Sequence, residues 1–243
     1  NKKDIIPYKT SGGLDTVAIR MPSNVIARAI IKEAGIPIAA PSANISGRPS
    51  PTKAKHVYEE MYGRVDGIVL GGDSNFGLES TVLDLTEETP MILRPGSITK
   101  EVLEELLGEV KLDPSLSKKE DNQKAKAPGM KYKHYSPNAD VYIISGKREN
   151  VATKINDMIK SNRDKGLKTG VMCISRNREF YDGEVIDLGN SLEEVASNLF
   201  DALIEMDKKG VDVIYSEEFP KTGVGQAIMN RLLKSAGYKV IKA

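Results

Sequence analysis

From residue 141 onward short apolar runs alternate with longer amphipathic ones, and this constrains the fold more than any other feature of the chain. Residues 141–145, 168–174 and 211–216 read as buried strands, while 151–162, 191–208 and about 225–236 place apolar residues at helical spacing. Strands separated by helices in this way predict a small parallel sheet with helices on both faces.

The first half is more mixed. Residues 16–22 alternate as a half-buried strand does and stop at Pro22, and 24–34 reads as a helix ended by Gly35. A second apolar run, 36–41, enters the polar loop 42–51, and Thr52 is placed to cap a helix reaching about Tyr62. Further strands are predicted at 65–72, 80–85 and 91–94, and a helix at 99–107 closed by Gly108. The chain opens on Asn1-Lys2-Lys3-Asp4, and its first strand arrives only after Gly12-Gly13, so the first sheet is expected to lack partners.

Between the halves, residues 111–138 hold seven lysines against three acids, with three prolines and little apolar periodicity, which is the composition of a linker. Tyr132, His134 and Tyr135 sit close together in it, and such aromatics are expected to dock on something, either the first half's pocket as a lid or RNA as a stacking tether.

With 35 basic and 34 acidic residues the net charge is +1, which does not mark a nucleic-acid coat protein. The one cysteine, Cys173, lies in an apolar run and reads as a buried thiol. One cysteine and two histidines do not make a zinc cluster at the usual spacings. No apolar stretch approaches membrane-spanning length and no signal peptide is visible, so a reducing, cytoplasmic setting is expected.

Loop chemistry supplies the candidate sites. Ser42, Ser46 and Ser50, on a loop between a strand and a helix, suit a phosphate, although the same composition also fits a plain turn. Arg20 and Arg94 both stand at strand ends near prolines, where a guanidinium can grip a carboxylate or neutralise phosphate, or simply form a surface ion pair. The glycine-bracketed stretch 71–81 allows close approach of a ligand, with Ser80 or Thr81 as donor. Residues 221–231 read either as a tight strand-to-helix turn or as an anion site at a helix start. His56, on a helix, is read as a surface or packing residue.

Five elements taken in order resemble the signature of the YrdC-like threonylcarbamoyl-AMP synthases. They are Gly13-Leu14-Asp15-Thr16-Val17-Ala18-Ile19-Arg20-Met21-Pro22, Ala40-Pro41-Ser42-Ala43-Asn44-Ile45-Ser46-Gly47, Glu79-Ser80-Thr81-Val82, Leu93-Arg94-Pro95-Gly96, and Pro128-Gly129-Met130-Lys131-Tyr132-Lys133-His134-Tyr135-Ser136-Pro137. The linker element and the second half are similar to the longer, two-domain form. The resemblance implies an α/β protein: the C-terminal portion of a YrdC-like twisted mixed sheet with helices over 1–110, a linker and lid over 111–138, and a small Rossmann-like parallel α/β domain over 139–243.

The same resemblance implies a nucleotidyltransferase that turns L-threonine, bicarbonate and ATP into threonylcarbamoyl-AMP and pyrophosphate for tRNA threonylcarbamoyladenosine modification, with downstream tRNA-modification proteins as partners. By motif, Thr16, Ala40, Ser42, Ser50 and Arg94 contact ATP, and Tyr132 and Tyr135 close over it. Arg20 and Ser80 hold L-threonine, while Asn44 and Ser46 shape the pocket. No covalent, acid–base or metal-ligating residue is assigned, no tightly bound cofactor is expected, and Mg2+ is expected with the ATP. Members of the family carry, upstream of Gly12-Gly13, a strand-rich segment with a Lys/Arg motif, and its lack here implies a chain inactive by itself. Two other readings remain at this stage, a double-stranded RNA-binding module and a nucleotide- or partner-binding regulatory fragment.

Overall fold

In the computed structural model, which describes residues 1–116 and 135–243, the first half holds α1 (Val25–Ala34), α2 (Ala54–Met61), β1 (Val82–Asp84), β2 (Met91–Arg94), α3 (Lys100–Leu107) and β3 (Lys111–Leu112). Local signals account for the helix limits. The Asn24 side chain accepts the N–H groups of Ile26 and Ala27 at 3.0 Å, and Gly35, at φ 65°, turns the chain off α1. At α2 the capping residue is Lys53, not Thr52. The Thr52 hydroxyl is buried without a hydrogen-bond partner, while His56 Nδ1 accepts the backbone N–H groups of Thr52 and Lys53.

β1 pairs antiparallel with β2, and β2 parallel with β3, so the first sheet is mixed. It extends into residues 111–112, where the sequence reading begins the linker. The predicted strands at 16–22, 36–41 and 65–72 join no ladder. An apolar run becomes a strand only when a neighbour takes its backbone N–H and C=O groups, and none among the described residues does. Their side chains stand in solvent: Ile19 is 89% and Met21 88% exposed, and α1 buries none of its residues.

The second half follows its expected alternation, with β4 (Asp140–Ser145), α4 (Arg148–Arg163), β5 (Thr169–Cys173), β6 (Glu184–Asp187), α5 (Leu192–Lys208), β7 (Val213–Glu217), α6 (Val224–Ser235) and β8 (Val240–Lys242). All neighbours are parallel, in the order β6-β5-β7-β4-β8. Ser191 caps α5 through the N–H of Glu194. One face of the sheet packs Ile143, Met172 and Ile214 against Leu199, Phe200 and Leu203 of α5 and Ile228 and Leu232 of α6. The other packs Ile144, Val171 and Tyr215 against Val151, Ile155 and Ile159 of α4. Sequence reading missed β6 and β8, the two edge strands.

Phe76 and Leu78 of the first half pack on the core under α5 and α6. Gly77, at φ 70°, lies against the backbone of Ser197, where a Cβ would collide, so the two halves meet backbone to backbone. No helix among the described residues is long and apolar enough to cross a membrane.

Cys173 is fully buried at the end of β5. Burial, with the nearby Glu217 and Asp187 charges, pushes its thiol up to about 12. A thiol reagent at pH 8 should therefore leave the folded chain unmodified and label it only in denaturant. Labelling of the native protein at the rate of an exposed cysteine would show that this face of the sheet is open.

Candidate functional site

The predicted loops converge on one carboxylate. Glu79, just ahead of β1, accepts the Ser50 hydroxyl at 2.6 Å on Oε1 and Nε of Arg231 at 2.8 Å on Oε2. Burial pushes this carboxyl up, but the Arg231 charge and the hydrogen bonds from Ser50 and Arg231 outweigh it, and its pKa lies below the ordinary value of 4.5. One residue on, the Ser80 carbonyl accepts two bonds from Arg94 at the end of β2, Nε at 3.1 Å and Nη2 at 2.9 Å. Gly96 lets the two loops touch, since a Cβ there would strike the backbone of Glu79, Ser80 and Thr81.

Arg94 is buried, and its guanidinium pKa falls through burial first and then through repulsion from Arg231 and, more weakly, Arg20. The Arg20 side chain itself is exposed. Lys234 of α6 is also buried here, and burial with the Arg231 and Arg94 charges pushes it down to about 8. Three buried cations, Arg94, Arg231 and Lys234, thus surround one carboxylate. Such a place favours an anionic ligand.

Tyr135 joins this cluster from the linker's end. Its hydroxyl shares a hydrogen bond with the Arg94 side chain, and its ring packs on Phe200 with centroids 5.1 Å apart. Its φ of 64° is strained for a residue with a Cβ, and the Ser235 hydroxyl holds it by donating to the Tyr135 carbonyl at 2.9 Å. The next residue, Ser136, donates its N–H to the Gly47 carbonyl of the 42–51 loop at 3.1 Å. Tyr132 lies outside the described residues.

The other predicted residues stand further out. Asn44 braces its own loop, Nδ2 donating to the carbonyls of Ile45 and Arg48. Ala40, Ser42 and Ser46 are exposed and Thr16 half-buried; no hydrogen bond among the described residues ties them to Glu79 or Arg94. The Ser80 side chain is exposed beside Arg94, and Ser50, as placed, gives its only proton to Glu79.

Sequence reading assigned no role to Glu79 or Arg231. Arg231 shares the helical stripe of Ile228, Leu232 and Ser235, and a charge on that stripe is the sequence signal that could have found it.

Two further places are occupied by the chain's own groups. At the start of α6 the N–H of Gly223 donates to the Glu101 carboxylate of α3 at 3.4 Å, so an acid from the first half sits where 221–231 read as an anion site. The only histidine–carboxylate group among the described residues close enough for a metal is His56, Asp201 and Glu205, across α2 and α5. Lys53 pairs with Asp201 at 2.6 Å and Lys55 with Glu205 at 3.1 Å, so ammonium groups already supply its positive charge. His56 is 2% exposed and its pKa is lowered, chiefly by burial; the neutral ring turns Nε2 toward Asp201 at 3.0 Å. This is a bridge between the halves, and His56 is a buried interface residue, not a surface one.

Comparison with known proteins covers both halves. A family model described as "Threonylcarbamoyl-AMP synthase, C-terminal domain" matches residues 98–237, and one described as "Telomere recombination" matches residues 1–96. The chain is 48% identical over 242 residues to the threonylcarbamoyl-AMP synthase of Pyrococcus abyssi, covering 99% of the chain and 70% of the relative. It is 46% identical over 244 residues to that of Bacillus subtilis, covering 99% and 69%. A crystal structure of P. abyssi Sua5 complexed with L-threonine superposes with a TM-score of 0.92 at 48% identity, over 99% of the chain and 70% of that protein.

Proposed function

The chain belongs to the threonylcarbamoyl-AMP synthase family, and from that premise we propose that the cluster around Arg94 and Glu79 is where it handles ATP and L-threonine. The reaction joins the threonine amine to the carbon of bicarbonate with loss of water. A carbamate oxygen then attacks the α-phosphorus of ATP, and pyrophosphate leaves. ATP, bicarbonate, the carboxylate of threonine and every intermediate are anionic, so the observation that carries the reading is the gathering of three buried cations, Arg94, Arg231 and Lys234, around one carboxylate.

Each side chain's part follows from its present bonds. Arg94 has two N–H groups committed to the Ser80 carbonyl, so it meets phosphate through its charge and its remaining donors. Arg20, exposed near the end of the 13–22 motif, takes the threonine carboxylate, with Ser80 as a second donor. Thr16, Ala40, Ser42 and Ser50 line the nucleotide side, and Asn44 and Ser46 shape the loop. Ser50 must turn from Glu79 to donate to a phosphate. Tyr135, fixed against Arg94, anchors the linker at the site, and closure over the nucleotide shields a labile carbamate from water. Catalysis is then positioning and charge neutralisation.

The carboxylate of the cluster, Glu79, is engaged by Arg231 and Ser50, and Mg2+ enters as a companion of ATP, with no step routed through it. Bicarbonate, the downstream tRNA-modification partners and a cytoplasmic setting belong to the same proposal.

Arg20→Ala tests the threonine side. It should raise the threonine KM by about tenfold or more, the scale of a lost charge-assisted pair, while the ATP KM moves little. An unchanged threonine KM would remove Arg20 from the site.

A further inference from the structure

We propose that Arg231, carried on α6 of the second half, is a positioning residue for the substrate site of the first half; this rests on the functional reading above. No part of α6 falls within the five signature elements, yet Arg231 is 0% exposed and its guanidinium is spent on the loops that carry the site. Nε donates to Glu79 Oε2 at 2.8 Å, Nη2 to the Glu79 carbonyl at 3.1 Å, and Nη1 to the Pro95 carbonyl at 2.8 Å and to Asn230 Oδ1 at 3.0 Å. One rigid fork therefore clamps residue 79 to residue 95.

The residues between those anchor points and the substrates are the ones assigned above. Ser80 follows Glu79, Arg94 precedes Pro95, and Arg94 itself closes the loop pair by donating to the Ser80 carbonyl. On the far side of Glu79, Ser50 is held by its 2.6 Å bond to the same carboxylate. Removing the fork leaves Ser80, Arg94 and Ser50 in the chain but without the group that fixes their spacing. A lysine at 231 keeps a charge for Glu79, but a single ammonium cannot reproduce the planar three-nitrogen grip on two loops. The second half thus acts on the reaction by holding the first half's loops in register, with Arg231 touching no substrate.

The test uses Arg231→Lys, with Arg231→Met as the harsher change. Hydrogen exchange on the chain should show faster exchange at 79–81 and 93–96 in both variants, with α4 and β5 unchanged. In the synthesis assay, run on the chain extended at its N-terminus to the length of its P. abyssi relative, the threonine KM should rise by about tenfold in Arg231→Lys, with a smaller change in kcat, as expected for a displaced contact. A residue serving stability alone would lower the melting temperature and the amount of active protein while leaving KM where it was. Unaltered exchange in both loops in Arg231→Lys would overturn the proposal, as would an unaltered threonine KM. If the N-terminally extended protein, unsubstituted, makes no adenylate, the functional reading fails, and the exchange result alone decides whether Arg231 positions these loops.

Discussion

Glu79→Ala is expected to destabilise the folded chain by about 3–5 kcal/mol, the usual cost of removing one partner from a buried ion pair. Arg231 has no exposed surface and would be left with only carbonyl and amide acceptors, while the Ser50 hydroxyl would lose its acceptor. Urea unfolding at pH 7 measures the loss. Glu79→Leu combined with Arg231→Met should recover much of it, because an apolar pair of similar volume leaves no uncompensated charge.

The pH dependence has a definite sign. The carboxyl pKa is depressed in the folded state, so the ion pair contributes its full stability above the unfolded value of 4.5, and that contribution is lost as pH falls through the folded pKa. The stability gap between the unsubstituted chain and Glu79→Gln should hold steady from pH 7 to about 5 and shrink below that. A gap that instead widened on acidification would mean that Glu79 is protonated in the fold.

Gly96→Ala should be comparably damaging by a different route. The added methyl would meet the backbone of Glu79, Ser80 and Thr81, which cannot rotate away as a side chain can. The two loops must separate, at about 1–3 kcal/mol as in other overpacked cores. Separation also lengthens the Arg94 bonds to the Ser80 carbonyl, and a displacement of about 1 Å at a reacting site typically costs about a hundredfold in rate. Gly96→Ala should thus lose activity out of proportion to its melting temperature. Equal and small losses of both would show that the loops have room.

How much of this was legible beforehand depended on how local the determinant is. β2 was placed residue for residue, and helix ends fell within about three residues wherever a capping side chain or glycine marks them, as at Asn24, Gly35 and Ser191. The parallel sheet followed from its alternation. β6 and β8 escaped because short edge strands carry neither a long apolar run nor clear alternation. The runs at 16–22, 36–41 and 65–72 were legible as apolar but do not form ladders, since pairing is a property of two segments and not of one.

The site divides in the same way. Ser50 and Ser80 sit in loops whose composition marks them and Arg94 at a strand end before a proline, and the structure brings them within one hydrogen-bonded cluster. The bond between Glu79 and Arg231 spans 152 positions of sequence, and only the packing of α6 against the first half makes it. The lowered pKa of Lys234 shares this origin in part: burial lowers it first, and Arg231 and Arg94, from opposite halves of the chain, add to it.

The central claim, that this cationic cluster is an ATP and L-threonine site, is tested most directly by calorimetric titration of ATP with and without saturating L-threonine. The titrations are run on the chain, on the chain extended at its N-terminus to the length of its P. abyssi relative, and on the Arg94→Ala form of each. The account predicts that threonine tightens ATP binding in the extended protein and that Arg94→Ala abolishes the effect. ATP binding that ignores both threonine and Arg94 in every form would contradict it.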